Sequence, residues 1–312
     1  MPELILHHYP MSPFAEKVRL MMGLKKLAWK SVIIPNVMPK PDVLALTGGY
    51  RKTPVLQIGS HIYCDTALIA DVLEHIAPQP ALYPPAHKGL ARVVAQWADD
   101  KLFPTAMAYN FQPRGTAQAL AGLAPEQIKA FAEDRSKMRQ GAPRMAPGDA
   151  TGTYKSYLRR LANMLHGQDY LLGSVPCIAD LAAYHSLWFT RNITPVMAGI
   201  LDATPELQKW MDRMAAIGHG TMTESNSHAA IQTSASSPGV GAVLASEPFV
   251  DEHGIALGSQ VSIASEGFGP EPTAGKLVAA TRMHYTLKRV DKRAGQVHVH
   301  FPRVGFQMRA VA

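Results

Sequence analysis

Short apolar runs and helical stripes alternate over the first eighty residues. "LILHHY" at Leu4–Tyr9 has the density of a buried strand, and "PFAEKVRLMMGLKKL" repeats apolar positions at helical spacing. "WKSVII" follows as a second strand, and "KPDVLALTGG" as a short helix closed by glycines. "PVLQIG" and "HIYC" read as two short strands joined by a Gly-Ser turn. "DTALIADVLEHIA" then sets Leu68, Ile69, Val72, Leu73 and Ile76 on one helical face. The order βαβ-α-ββα predicts a mixed α/β layer.

A proline-rich joint, "PQPALYPP", marks a boundary at Pro78–Pro85. From there to about residue 218 every apolar stripe has a period near 3.6, so an all-helical unit is expected. Residues 219–239 are small and polar and read as a linker. From residue 240 to 312 the runs turn β-branched and alternating, separated by Gly and Pro, which predicts a small all-β appendix. The expected organisation is therefore 1–80 α/β, 86–218 all-α, 219–239 linker and 240–312 β.

A chain of 312 residues fits two or three domains, at roughly 150 residues each. The formal charge of +7 favours anionic partners in general. There is no long Lys/Arg run, zinc spacing or RNA-binding aromatic motif, so no nucleic-acid partner is expected. Cys64 and Cys177 stand far apart and suit a reducing compartment. No apolar run reaches about 18 residues, and a soluble cytoplasmic protein without membrane contact is expected.

Three spots carry candidate chemistry. Ser12 precedes Pro13 at the start of the first helix. Its hydroxyl serves as an N-cap, or holds an anion such as a thiolate at the helix N-terminus. Pro54 stands directly before an apolar strand, either as a plain strand start or in a cis turn that exposes the next backbone group. Asp65 and Thr66 open a helix straight after a strand; they are ordinary caps, or a site for a carboxylate and an ammonium.

Together, "YPMSPFAEKVRL", "RKTPVLQIG" and "CDTALIADVLE" resemble the thioredoxin-like domain of the cytosolic glutathione transferases, with an omega- or theta-like serine pattern. The helical unit and "LLGSVPCIADLAAYHSLWF" fit the same family, so the resemblance spans residues 1 to about 218 and leaves the β appendix unrecognised. It implies that Ser12 faces the glutathione sulfur and stabilises its thiolate, since no cysteine stands there for a mixed-disulfide mechanism. It implies that the Thr53-Pro54-Val55 segment holds the cysteinyl part through its backbone, and that Asp65 and Thr66 hold the γ-glutamyl end. For the glycine carboxylate it implies Lys52 first, with Arg51 and Lys40 as other candidates. Trp97 and Tyr109, with Phe103, Met107 and Phe111, are expected to line an apolar second-substrate pocket. The family pattern has Glu-Ser where this chain has Asp65-Thr66, and Ser or Thr where it has Cys177; Asp180 keeps half of that capping box. Tyr9 sits one place past the tyrosine of the tyrosine classes, where His8 stands.

The expected activity is glutathione transfer to an apolar electrophile, with glutathione as co-substrate and a homodimer as the usual assembly. Glutathione-dependent isomerisation or dehalogenation on the same site is the enzymatic alternative. A non-catalytic binding or scaffold protein is the alternative of another class. His298 and His300, two apart on one strand, have a spacing that can hold a metal, but no third ligand has supporting spacing, and no metal is expected.

Overall fold

The computed structural model describes residues 1–244, 248–250 and 252–311. Its frame is a ten-stranded sheet that runs through both ends of the chain. In one half of it, β1 (Ile5–His8) pairs in parallel with β2 (Ala28–Ile33) and antiparallel with β3 (Val55–Ile58), which pairs with β4 (His61–Cys64). Helices α1 (Pro13–Leu24) and α3 (Thr66–Ile76) pack together on one face, and α2 (Pro41–Thr47) lies on the other. The α2 C-cap is Gly48 at φ +82, a left-handed position where glycine avoids the Cβ clash.

The helical unit comprises α4 (Lys88–Trp97), α5 (Phe103–Asn110), α6 (Pro113–Ala119), α7 (Pro125–Arg139), α8 (Pro147–Met164), α9 (Ile178–Trp188) and α10 (Pro205–Ala215). The apolar side of α9 is nearly all round, so it runs buried through the centre. It shares one core with α1, α3 and α4, which fixes the helical unit against the α/β unit. Between α4 and α5 a π-helical turn covers Ala98–Leu102. Pro104 has no N–H to give the carbonyl of Asp100, and a wide turn accommodates that loss.

The stretch expected as a linker is ordered secondary structure. β5 (Thr221–Ser225) adds in parallel to β2 at the sheet edge, and α11 (Ser227–Ser236) follows with Asn226 as its cap. A solvent-facing edge strand of Thr, Glu and Ser has the composition of a linker, so its polarity hid it.

The β appendix is likewise no separate body. Strands β6 (Gln260–Ser265), β7 (Thr273–Ala280), β8 (His284–Asp291), β9 (Gly295–Pro302) and β10 (Phe306–Ala310) form an antiparallel layer. β9 then pairs in parallel with β4, His61 opposite His298 and Tyr63 opposite His300. The otherwise open edge of β4 is thereby covered. Behind the seam, Ile62 and Cys64 share a core with Val297, Val299 and Phe301 and with α2 and α11. Gly49 marks the closest approach: a Cβ there would stand 2.0 Å from the Pro272 carbonyl oxygen.

His298 and His300 belong to this seam. His300 Nε2 bonds His61 Nδ1 at 2.8 Å, and its Nδ1 bonds Thr286 Oγ1 at 2.9 Å, so both its ring nitrogens are used. Among the described residues no group of three His, Cys, Asp or Glu is set to hold a metal, and no helix is long and apolar enough to cross a membrane.

Candidate thiol site

Register builds the site. His7 on β1 stands opposite Val55 on β3, which stands opposite Cys64 on β4. The ends of β1 and β4 and the start of β3 therefore coincide, with Ser12, Val55, Asp65 and Thr66 around them. The Thr53–Pro54 peptide is cis.

Ser12 is the N-cap of α1. Its Oγ accepts the Ala15 N–H at 3.2 Å, and only 2% of the residue is exposed. Capping does not exclude catalysis, because a hydroxyl that accepts one bond keeps its proton to donate. Thr66 shows the same logic. Its Oγ1 accepts from Lys17 Nζ at 3.2 Å, which leaves the O–H to donate elsewhere. Asp65 caps α3 by accepting the Ala67 N–H at 2.9 Å. Its φ of +75 is a conformation that side-chain-bearing residues rarely adopt, at a cost of about 1–3 kcal/mol. Such strain clusters at binding sites.

Beneath Thr66 lies a buried charge network. Lys17, 1% exposed, pairs with Asp99 Oδ2 of the π turn at 2.6 Å, and His185 Nε2 of α9 meets Asp99 Oδ1 at 3.0 Å. Burial works to raise the Asp99 pKa, but the Lys17 ammonium and His185 outweigh it and hold the carboxyl below its usual value. Burial lowers the pKa of His185, which packs against Phe14 and Phe103. Lys17→Met is expected to strand a carboxylate and cost about 3–5 kcal/mol in denaturant unfolding. The pair Lys17→Met/Asp99→Asn should recover more than half of that loss; no recovery would mean the two groups are uncoupled.

The cations expected at the glycyl end fare differently. Lys40 Nζ donates to the Arg51 carbonyl and to Thr53 Oγ1, both at 3.2 Å. Burial depresses its pKa to about 8, helped by Arg135 and Arg51. Arg51 is buried between Asp134 of α7 and Glu271, the latter at 2.9 Å. It thus ties the α/β unit to the helical unit and to the C-terminal layer. Of these three, Lys52 has neither a hydrogen bond nor an ion pair on its ammonium among the described residues; it stands over the rings of Tyr50 and Phe306.

Trp97 and Tyr109, expected at the second-substrate pocket, are both half-buried. Trp97 stands edge-on to Tyr157 of α8 at 5.2 Å, and Tyr109 donates to the Met197 carbonyl at 2.9 Å. The π turn between them shifts the helical phase, so the stripe read across it does not stay on one face. Of the expected pocket residues, Phe103 meets α1, 4.6 Å from Phe14. Lys17, Asp99 and His185 were missed because charged residues inside helical runs read as solvent-facing. The signal was Asp99 and Lys17 falling among apolar neighbours.

His8 is buried, bonded to Ser31 Oγ and Arg19, and burial lowers its pKa to about 4. Tyr9 lies beside Lys40 and Arg135. Burial also pushes the Cys64 thiol well up, which suits a packing role rather than a nucleophile.

A thioredoxin-like unit docked on an all-helical unit, with a serine at the α1 N-terminus and a cis-proline before β3, defines the class. Residues 6–81 match the model for the glutathione S-transferase N-terminal domain, and residues 143–217 the model for the C-terminal domain. The solved structure of a GST-like protein from Pseudomonas syringae is 42% identical, covers 100% of both chains and superposes with a TM-score of 0.77. A glutathione S-transferase structure from Rhodospirillum rubrum is 21% identical over 68% of this chain and 88% of its own, with a TM-score of 0.50. FtsZ-localized protein A of Caulobacter vibrioides is 26% identical over 187 residues, 58% of this chain and 74% of that protein. The chain belongs to the glutathione S-transferase family. Its C-terminal layer lies beyond both family models and within the full-length match to the Pseudomonas protein.

Proposed function

We propose that the protein binds glutathione and adds its thiolate to an apolar electrophile. The observation that carries this is the strand register that sets the end of β1, which leads to Ser12, beside Val55 at the start of β3 and beside the end of β4, which leads to Asp65 and Thr66. Ser12 donates its free O–H to the sulfur, and the N-terminus of α1 adds its dipole; both favour the charged form and lower the thiol pKa. The thiol proton leaves to water. The sulfur lone pair then forms the C–S bond as the electrophile's leaving group departs with its bonding pair, or as the displaced π pair moves onto the electrophile and is protonated from water. Thr66 and the α3 N–H groups receive the γ-glutamyl carboxylate, and Asp65 receives its ammonium.

The test is ultraviolet thiolate absorbance across pH, with glutathione bound to wild type and to Ser12→Ala. Wild type should hold the bound thiol below the pKa of the free thiol. Ser12→Ala should lose that depression, and turnover with a model aryl halide should fall about 10²–10³-fold, as for loss of one preorganised donor. Equal behaviour of the two proteins would reduce Ser12 to a cap.

A second reading is a binding role without turnover. It is favoured by the near-complete burial of Ser12 and by the likeness to FtsZ-localized protein A, whose name gives a localisation and no activity. Glutathione binding with no turnover of any electrophile would select it.

A further inference from the structure

The C-terminal layer meets the glycyl-end cations at Arg51, through Glu271, and at Lys52, through Phe306. Of the three cations there, Lys40 is bonded to Arg51 and Thr53, and Arg51 is claimed by two carboxylates. The Lys52 ammonium has neither a hydrogen bond nor an ion pair among the described residues, although the side chain is largely out of water. Its charge stands 5.3 Å from the ring centre of Phe306 on β10 and 5.6 Å from that of Tyr50. Those rings are themselves locked: Phe306 packs on Phe301 at 5.5 Å and on Tyr50 at 6.2 Å. The Lys52 stem runs past Gly269 of the β6–β7 loop, where a Cβ would come within 3.3 Å of Cγ. That loop is anchored in turn by the Gly269 N–H donating to the Met138 carbonyl of α7 at 2.8 Å.

A ring face attracts an ammonium but accepts none of its N–H bonds in the manner of a carboxylate. Lys52 is therefore held in one place and still has protons to donate. A free lysine loses rotamer entropy on binding a ligand, and one already ordered between rings loses less. Burial lowers the Lys52 pKa, with Asp65 the first of the opposing charges that act to keep it protonated. Asp65 is the γ-glutamyl candidate, so the two ends of the site act on each other electrostatically.

We propose that Phe306 is a positioning residue for the thiol ligand: it holds Lys52 so that the ammonium receives the ligand's terminal carboxylate, and the C-terminal layer thereby makes the site select a thiol that is anionic at its glycyl end. This rests on the glutathione reading above. Strands far beyond the family-model regions become part of the binding site, through a ring rather than a hydrogen bond.

The experiment is calorimetric titration of the full-length protein with glutathione and with its glycyl monoethyl ester, which differs by that one charge. Wild type should prefer glutathione by about tenfold or more, as expected for one charge-assisted contact. Phe306→Leu keeps an apolar side chain in the core but loses the ring face. It should bring the preference within about threefold by weakening glutathione while leaving the ester unchanged. Lys52→Met, which alters no core residue, should abolish the preference and keeps the test alive if Phe306→Leu folds poorly. A Phe306→Leu protein that retains the full preference, or that weakens both ligands equally, overturns the proposal and leaves Phe306 a packing residue. A wild type that binds both ligands equally overturns the role of Lys52. A wild type that binds neither overturns the glutathione reading itself.

Discussion

Acidification from pH 7 to about 4.5 is expected to unfold the protein, through imidazoles buried in neutral form. His7 bonds Gln57 Oε1, His8 bonds Ser31, and His61 bonds His300 across the β4–β9 seam. Burial is the main cause in each case and lowers the pKa of His7, His8 and His61 from 6.5 to about 4. Further lowering comes from Arg19 and neighbouring imidazoles at His8, and from His298 at His61; Gln57 and Asp42 work the other way at His7. His300 lies well below 6.5 by burial and by the charges of His61, His284 and His298. Lys288, opposite His298, adds like charge to that seam. Between pH 6.5 and 4 the unfolded chain binds protons that the folded chain refuses. The stabilisation is therefore complete above about pH 6.5 and is lost as the pH falls toward 4. A fall from 6.5 to about 4 corresponds to about 3 kcal/mol per group. Three such groups approach the whole stability of an ordinary domain, about 5–15 kcal/mol. Urea midpoints at pH 7.5, 6 and 5 should fall steeply, and His61→Gln should flatten the slope. Midpoints that stay constant to pH 5 would mean that these imidazoles are open to water.

The second large effect belongs to Asp180. Its carboxylate accepts from the N–H groups of Leu171 at 2.8 Å and Cys177 at 3.0 Å, from Trp210 Nε1 at 2.9 Å and from the Cys177 thiol at 3.5 Å. Burial raises its pKa, and the hydrogen bonds from Leu171, Cys177 and Trp210 act against that rise. Asp180→Ala strands these donors in the core, each at about 1–3 kcal/mol. The expected loss is about 3–5 kcal/mol, enough to abolish soluble expression or to lower the thermal midpoint by several degrees. Cys177→Ser, by contrast, supplies a better cap and should be neutral or mildly stabilising. A thermal midpoint for Asp180→Ala within about a degree of wild type would contradict this account.

Much of this was legible from period and punctuation. The 3.6-residue stripes reported the helices, and the Ser12-Pro13 and Asp65-Thr66 pairs reported the starts of α1 and α3. What stayed hidden was pairing over distance. Alternation in "VHVHF" marks β9 as a strand, but nothing local in it names β4 as the neighbour, more than 230 residues away at His61 and His300. Arg51 read as a free cation because its partners Asp134 and Glu271 lie 83 and 220 residues further on. β5 escaped because an exposed edge strand need carry no apolar alternation at all. The π turn at Ala98–Leu102, before Pro104, carried no signal in the apolar stripe that runs across it. The polar cap positions at the site were thus readable, and the groups that hold them in place were not.

The most direct measurement is a crystal structure of the protein grown with glutathione. The account predicts the sulfur within hydrogen-bond distance of Ser12 Oγ, the γ-glutamyl group against Asp65 and Thr66, and the glycyl carboxylate on Lys52. Glutathione bound elsewhere, or these positions left empty at saturating concentration, would contradict it.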